Sequence, residues 1–155
     1  MPVADNLLNR NFMATHRNEK WVSDITYTKT DEGWLYLAAL LDLYDHSIIG
    51  WSMDSRMKTQ LVISALKHAV DRTKAPKGLL VHSDRGVQYA SKRYQKLLKA
   101  NGFPCSMSRK GNCYDNVPME AFWGKLKMEW LYGVRLKTRA DAKQAVFEYI
   151  ELFKS

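Results

Sequence analysis

Three strand-like segments follow one another between residues 21 and 53. The first, "WVSDITYT", alternates its side chains between two faces and is rich in β-branched and aromatic residues, which favours a strand. Short turns at residues 31–33 and 44–46 join it to the next two, "WLYLAALLDL" and "SIIGWSM". The pattern predicts an antiparallel meander with Asp24 in the middle of its first strand.

A short apolar run, "GLLVHSD", lies between two helix-like segments, which is typical of a buried parallel strand. Thr59 is the predicted cap of the helix before it, and Ser91 is the predicted cap of the helix after it. A brief strand over residues 103–107 and two more helices, starting near Pro118 and Thr138, complete the order βββαβαβαα. The sequence therefore predicts an α/β fold with a five-stranded mixed sheet, three antiparallel strands followed by parallel ones, flanked by helices.

The chain has the size of one ordinary domain, with 155 residues of which 46% are hydrophobic. Residues 1–20 lack periodicity and are interpreted as a leading segment or linker remnant, so the predicted domain covers residues 21–155. The longest apolar run ends after eight residues, at Asp42, and is too short to cross a bilayer. We therefore expect a soluble protein of the cytoplasm.

Positive charge is concentrated in one third of the chain. The net charge of +8 divides into 0 for residues 1–84, +9 for residues 85–139 and −1 for residues 140–155. Such a localised excess of Lys and Arg is typical of a surface that binds a polyanion such as DNA. A general solubilising role is the alternative.

Three carboxylates are candidates for a metal site. Asp24 lies in a central strand, Asp84 follows the parallel strand, and Glu120 lies in the first turn of a later helix. Open α/β sheets bind ligands at the carboxyl ends of their strands, and carboxylate oxygens suit Mg²⁺ or Mn²⁺. Two such ions could activate a nucleophilic oxygen and stabilise a leaving 3′ oxygen. Judged by spacing alone, each acid could equally be a cap or an ion-pair partner.

The segments "WVSDITY", "HSDRGVQYAS" and "SMSRKGNCYDNVPMEAFWGKLKMEW" resemble the catalytic core of bacterial insertion-sequence transposases made from two overlapping reading frames, in the DDE transposase and retroviral integrase superfamily. The resemblance covers about residues 6–153. It implies an RNase H-like fold and makes Asp24, Asp84 and Glu120 the catalytic ligands of two Mg²⁺ ions, with Mn²⁺ as a substitute. It further implies cleavage of double-stranded DNA at element ends, transfer of the freed 3′-OH into target DNA, and a homodimer or higher multimer.

Several residues are candidates for DNA contact. The resemblance places Lys127, two helical turns after Glu120, against the DNA backbone. Arg85 could reach a phosphate or cap the turn after Asp84, and an aromatic residue among basic ones can stack on an unpaired base. The segment before the Glu120 helix, which we expect to be mobile without DNA, contributes Arg109, Lys110, Asn112 and Tyr114. The plainer interpretation is a solvated lysine and an exposed loop.

Three residues near these motifs are predicted to be structural. Asp42 ends a buried strand at a hairpin, where an acceptor for the turn is the commoner role. His82 is predicted to be a satisfied core histidine, and Trp123 to pack its helix against the sheet.

Two alternatives to a transposase core stay open. Relatives of this type carry an N-terminal helix-turn-helix region and a basic stretch after the last helix, and the sequence contains neither. A catalytically inactive remnant that binds DNA or dimerises would fit this absence. An RNase H-type nuclease of the same fold is the other alternative.

Overall fold

The computed structural model describes residues 5–9, 11–108 and 117–152. The strands are β1 (Lys20–Thr30), β2 (Gly33–Asp42), β3 (Ile48–Asp54), β4 (Leu80–Ser83) and β5 (Cys105–Met107). They form one five-stranded sheet in the order β3–β2–β1–β4–β5. The β1–β2 and β2–β3 pairs are antiparallel, whereas β4 runs parallel to β1 and β5 parallel to β4. The predicted five-stranded mixed sheet is confirmed.

Helices connect and cover this sheet. They are α1 (Thr59–Thr73), α2 (Val87–Ala90), α3 (Lys92–Ala100), α4 (Val117–Leu126) and α5 (Arg139–Leu152), with a π-helical turn over Lys127–Leu131 directly after α4. The single-turn helix α2 is missing from the predicted order because four residues are too few to show a helical period. Within the described residues, no helix combines the length and apolar character that a membrane span requires.

Three of the four predicted helix starts are confirmed, since α4 begins at Val117 beside Pro118, and one predicted cap is wrong. The Ser91 hydroxyl accepts the Tyr94 N–H at 3.2 Å, and the Thr138 hydroxyl accepts the Asp141 N–H at 3.0 Å. Thr59, in contrast, is the first residue of α1 rather than its cap. Lys58 holds the extended cap conformation without a side-chain bond, so the helix starts with its first N–H groups uncapped by a hydroxyl.

Each face of the sheet packs against helices. On one face, Trp21 and Leu40 pack with α1 and α3, and on the other, Val22 and Leu41 pack with α4 and α5. Gly50 on β3 lets α1 approach closely, because a Cβ at this position would lie 2.6 Å from the Cβ of Ala69. Since α4 and α5 share one face, any side chain that α4 points at the sheet meets β1 and β2.

The N-terminal residues 5–9 lie against the outer strand β5. The Met107 N–H donates to the Asp5 carbonyl at 3.1 Å, and the Leu8 N–H donates to the Ser106 hydroxyl at 2.9 Å. Leu8 is buried in the same core as α4 and α5. This part of the leading segment is therefore packed on the domain.

His82 on β4 is a core residue, as predicted. It is fully buried, its Nδ1 lies 2.8 Å from the Ser106 hydroxyl, and its Nε2 lies 3.1 Å from the Ser108 hydroxyl. Both ring nitrogens have hydroxyl partners that can donate or accept. The histidine thus joins β4 to β5 and has no access to solvent.

Candidate active site

Three elements bring the candidate carboxylates to one end of the sheet. Val22 of β1 is level with His82 of β4 in the parallel ladder. Continuing that register by two residues puts Asp84 level with Asp24. Glu120 lies in the first turn of α4, which packs on the face of β1 that carries Asp24.

Asp24 is the most enclosed of the three. Its Oδ2 accepts a hydrogen bond from the Trp123 indole N–H at 3.0 Å. Burial raises the pKa of Asp24 from its ordinary 3.8 to about 6, the Trp123 and Ile25 donors lower it in part, and the charges of Asp84 and Glu120 raise it again. Asp24 therefore lies where a negative charge is costly, and the other two acids add to that cost.

Trp123 has a role that the sequence analysis missed. It was predicted to pack its helix on the sheet, and its ring is indeed buried against β1 and β2. It also holds one oxygen of Asp24, across 99 residues of chain. The spacing of three residues from Glu120 places both side chains near one face of α4, but only the packing of α4 on β1 brings the indole to Asp24.

Asp84 is exposed and shapes its own turn. Its Oδ1 accepts the Gly86 N–H at 2.7 Å, and a Cβ at Gly86 would lie 2.9 Å from that oxygen. The carboxylate itself closes this turn, and Arg85 beside it is exposed. Glycine at position 86 thus leaves room for the Asp84 carboxylate to approach closely. The hydrogen bond of the turn uses Oδ1 and not Oδ2 of Asp84.

Glu120 and Lys127 are both exposed at the α4 end of the site. Lys127 opens the π-helical turn after α4, and its Nζ lies 5.5 Å from the centre of the Tyr27 ring. Tyr27 follows Asp24 by three residues on β1. The lysine is thus placed beside the strand that carries Asp24, against a ring that its sequence position did not indicate.

The three carboxylates are of the ligand type that divalent cations prefer, but their oxygens do not surround one common position. Among residues 5–9, 11–108 and 117–152, no three His, Cys, Asp or Glu side chains are close enough to hold a single metal ion. Asp24 nevertheless lies within electrostatic reach of both Asp84 and Glu120. Since those two side chains are exposed, rotation about their own bonds is the movement that would bring hard oxygen ligands onto an ion at Asp24.

Tyr89 contacts the strand that carries Asp24, and the sequence analysis did not identify this residue. Its hydroxyl lies 2.9 Å from the Ser23 hydroxyl, next to Asp24, and joins α2 to β1. Burial raises the pKa of Tyr89 well above its ordinary value, with smaller contributions from Tyr94 and then Asp24. Tyr89 therefore fixes the helix after Asp84 against the strand of Asp24 as a neutral hydroxyl.

Four of the predicted DNA-contacting residues lie outside the described part of the chain. They are Arg109, Lys110, Asn112 and Tyr114. Their assignment stays a prediction.

Known proteins similar to this chain belong to one family. An integrase core domain model matches residues 14–113, and a second integrase core domain model matches residues 120–155. A transposase for insertion sequence IS3A of Escherichia coli strain K12 is 48% identical over 151 residues, which are 97% of this chain and 52% of that protein. The 31 kDa protein of insertion element IS600 of Shigella sonnei is 48% identical over 153 residues, 99% of this chain and 56% of its own. The chain spans about half the length of these relatives.

Solved structures share the fold. A chain of the simian T-cell lymphotropic virus intasome, solved in complex with PP2A regulatory subunit B56 gamma, superposes with a TM-score of 0.70 at 22% identity, over 84% of this chain and 47% of that chain. The HTLV-2 integrase catalytic core domain in complex with magnesium, in its trimeric form, gives a TM-score of 0.64 at 19% identity, over 84% and 83% of the two chains. The sheet and its helices are thus those of an RNase H-like fold.

Proposed function

The chain belongs to the integrase core family of insertion-sequence transposases, and from this premise we propose that it is the catalytic core of a DDE polynucleotidyl transferase. The reaction is divalent-metal-dependent cleavage of double-stranded DNA at element ends, followed by transfer of the 3′-OH into target DNA. The observation that carries the proposal is the position of Asp24 on the face of β1 against which α4 packs, where burial first, and then to a smaller extent the charges of Asp84 and Glu120, raise its pKa to about 6. Such a costly cluster of like charges in a fold of this family is the signature of a site that a cation completes.

The surroundings of the three carboxylates and of Lys127 determine the role that we propose for each. Asp24 is the fixed ligand, because β1 and the Trp123 indole hold it. Asp84 is oriented by the Gly86 N–H, and the exposed Glu120 on α4 would supply the third carboxylate to the ion. Lys127, with the basic residues between 85 and 139, holds the DNA backbone.

Two Mg²⁺ ions, or Mn²⁺ in their place, would activate the attacking oxygen and stabilise the leaving 3′ oxygen. The HTLV-2 integrase core, which shares the fold, was solved in complex with magnesium. That core was solved in trimeric and dimeric forms, and we propose that this chain also works as a homodimer or higher multimer. Joining two DNA ends requires at least two sites.

The test combines metal binding with DNA nicking. Calorimetric titration of Mn²⁺ and then Mg²⁺ is compared for the wild type and for Asp24→Asn, Asp84→Asn and Glu120→Gln, and nicking of a duplex is followed in the same samples. We expect each variant to lose nicking and to weaken metal binding at least tenfold. Asp71→Asn, an exposed aspartate on α1, is the matched control and should change neither.

A fourth variant changes the orientation of Asp84 without removing its carboxylate. Gly86→Ala removes no carboxylate, but its Cβ would displace the Asp84 oxygen that lies 2.9 Å away. We expect weaker metal binding with an unchanged number of sites. Nicking that survives Asp24→Asn, Asp84→Asn or Glu120→Gln would refute the proposed ligand set.

A DNA-binding remnant without chemistry is the second candidate. The observation in its favour is that no three acidic side chains of the described residues already share one ion position. This candidate expects salt-dependent DNA binding, with the logarithm of affinity falling by about 0.9 per phosphate neutralised for each unit of log salt, and no nicking with any divalent ion. Divalent-metal-dependent nicking that requires Asp24 would exclude it.

A further inference from the structure

Three aromatic side chains lie together on the face of β1 and β2 that is opposite to Asp24. Tyr27 is level with Tyr36 across the strand pair, with ring centres 6.2 Å apart. Trp34 meets Tyr27 edge to face, with ring centres 5.0 Å apart. Tyr27 is 53% exposed and Trp34 46% exposed, so this aromatic surface (Tyr27, Trp34 and Tyr36) offers two large rings to solvent.

Lysines border the aromatic surface. The Lys127 Nζ lies 5.5 Å from the centre of the Tyr27 ring, and Lys29 is exposed and level with Trp34 on the neighbouring strand. Ring faces next to ammonium groups suit a ligand that combines flat bases with phosphates. A purely apolar partner would gain nothing from the two lysines.

Two nearby acidic residues contact arginines, one through a guanidinium and one through a backbone N–H. Asp31 forms an ion pair with Arg135 at 2.9 Å, and Glu32 accepts the Arg139 backbone N–H at 2.7 Å. Asp54, on β3, is level with Tyr36 and is half-buried. Neither Lys29 nor Lys127 is a partner of Asp31 or Glu32 in these contacts, so both ammonium groups can meet a phosphate.

The aromatic surface is continuous with the carboxylate site around one edge of β1. Among the described residues, β1 pairs with β4 only over Lys20–Val22, so this edge of β1 beyond Val22 has no neighbouring strand there. Asp24 and Tyr27 are three residues apart, which is about 10 Å along a strand. Lys127, at the end of α4, already reaches across this edge to the Tyr27 ring.

We propose that the aromatic surface binds one or two unpaired nucleotides of the DNA next to the phosphodiester bond that is cut. This inference rests on the proposed function, because it takes the carboxylates as the place of cleavage. Bases inside a duplex are stacked on one another, whereas a base from a melted end or a single-stranded tail can stack on an exposed ring. Lys29 and Lys127 then contact the phosphates on either side of the stacked base.

The test measures DNA affinity without divalent metal, so that no cleavage takes place. Three fluorescent probes share one duplex: a blunt end, a three-nucleotide 3′ tail, and the same tail with abasic sites. We expect the 155-residue chain to bind the tailed duplex about tenfold more tightly than the blunt one, which corresponds to one stacked base. The abasic tail should lose most of this gain.

Substitutions then locate the contact. Trp34→Leu and Tyr27→Leu should each reduce the tail-dependent gain to less than threefold. Tyr44→Leu is the matched control, because Tyr44 is 51% exposed but lies in the turn between β2 and β3. It should leave the gain unchanged, and thermal melts would confirm that all three variants fold.

Each other outcome overturns the inference. These outcomes are no DNA binding, no gain from the tail, an equal gain from the abasic tail, or a gain that survives Trp34→Leu and Tyr27→Leu. A change in oligomer size in those variants, measured by sedimentation, with the tail preference intact would assign the surface to a second copy of the chain. If the tail preference depends on Tyr27 and Trp34 but the chain never nicks DNA, the proposed cleavage is refuted and the binding of unpaired nucleotides stands.

Discussion

Asp24 and Asp42 lie on neighbouring strands and have opposite surroundings. Asp42, at the end of β2, is completely buried, and its two oxygens accept the backbone N–H groups of Asn18 and Tyr44, each at 2.8 Å. Asp24 has the Trp123 indole on one oxygen and two further carboxylates within electrostatic reach. The carboxylate of Asp42 has a backbone donor on each oxygen, whereas that of Asp24 lies near two other acids, where we propose that a cation binds.

The comparison separates a carboxylate that supports the fold from one whose charge is costly to the fold. The predicted role of Asp42 as a turn acceptor is confirmed, because it closes the β2–β3 connection and holds the segment before β1. A buried carboxylate with amide donors stabilises a fold, and a buried carboxylate beside other carboxylates destabilises it. The same substitution, Asp to Asn, should therefore have opposite effects on stability at the two positions.

The largest effect is expected for Asp42→Asn. The amide group of asparagine can accept from only one of the two backbone N–H groups, and its NH₂ would face the other donor. Two opposed donors in a buried turn, with the loss of a charge-assisted bond, should lower the free energy of unfolding by about 3 kcal/mol. Urea denaturation at pH 7.5 measures this, with Asp71→Asn as the exposed control. A loss no larger than that of the control would remove the structural role of Asp42.

The opposite sign is expected for Asp24→Asn. Ionised Asp24 has a pKa of about 6 in place of 3.8, and the asparagine keeps an oxygen for the Trp123 indole. At about 1.4 kcal/mol per pKa unit, the variant should gain roughly 2–3 kcal/mol at pH 7.5 while losing nicking. The same urea titration tests the gain. A destabilised Asp24→Asn would mean that the carboxylate supports the fold, as at Asp42.

Much of this comparison could be predicted from the sequence. The strand patterns and the run "GLLVHSD" place Asp84 at the carboxyl end of a parallel strand and Asp24 on a neighbouring strand, because both elements follow from local side-chain patterns. The register that brings the two residues level joins segments far apart in the sequence, and only the structure shows it. The turn after β2 likewise predicts the role of Asp42. Contacts of Trp123 with Asp24 and of Lys127 with Tyr27 join segments about a hundred residues apart, and only the packing of α4 against β1 reveals them.

The stability difference between wild type and Asp24→Asn should depend on pH. A folded-state pKa above the unfolded one means that the folded protein binds the proton more tightly, so this contribution is fully present below pH 3.8 and is lost as the pH rises through about 6. The variant should therefore match the wild type near pH 4 and exceed it by roughly 2–3 kcal/mol above pH 7. Titrating groups that do not interact with Asp24 cancel because both proteins carry them. A difference independent of pH would show that the charge of Asp24 is not its cause.

The smallest expected effect on the free energy of unfolding tests whether the Trp123 indole N–H stabilises the charge of Asp24. Trp123→Phe keeps most of the buried ring but removes the N–H that bonds the carboxylate at 3.0 Å. Because this donor lowers the pKa of Asp24, its loss should raise that pKa further and cost about 1–2 kcal/mol at pH 7.5 through a bond to a charged group. In the Asp24→Asn background the same change removes only a bond to a neutral amide and should cost about 1 kcal/mol less. Urea denaturation of the four proteins of this double-mutant cycle measures the coupling. Equal costs in both backgrounds would mean that Trp123 acts only through packing. A coupling energy that vanishes near pH 4 would show that the indole N–H acts on the negative charge of Asp24, which the metal is proposed to neutralise.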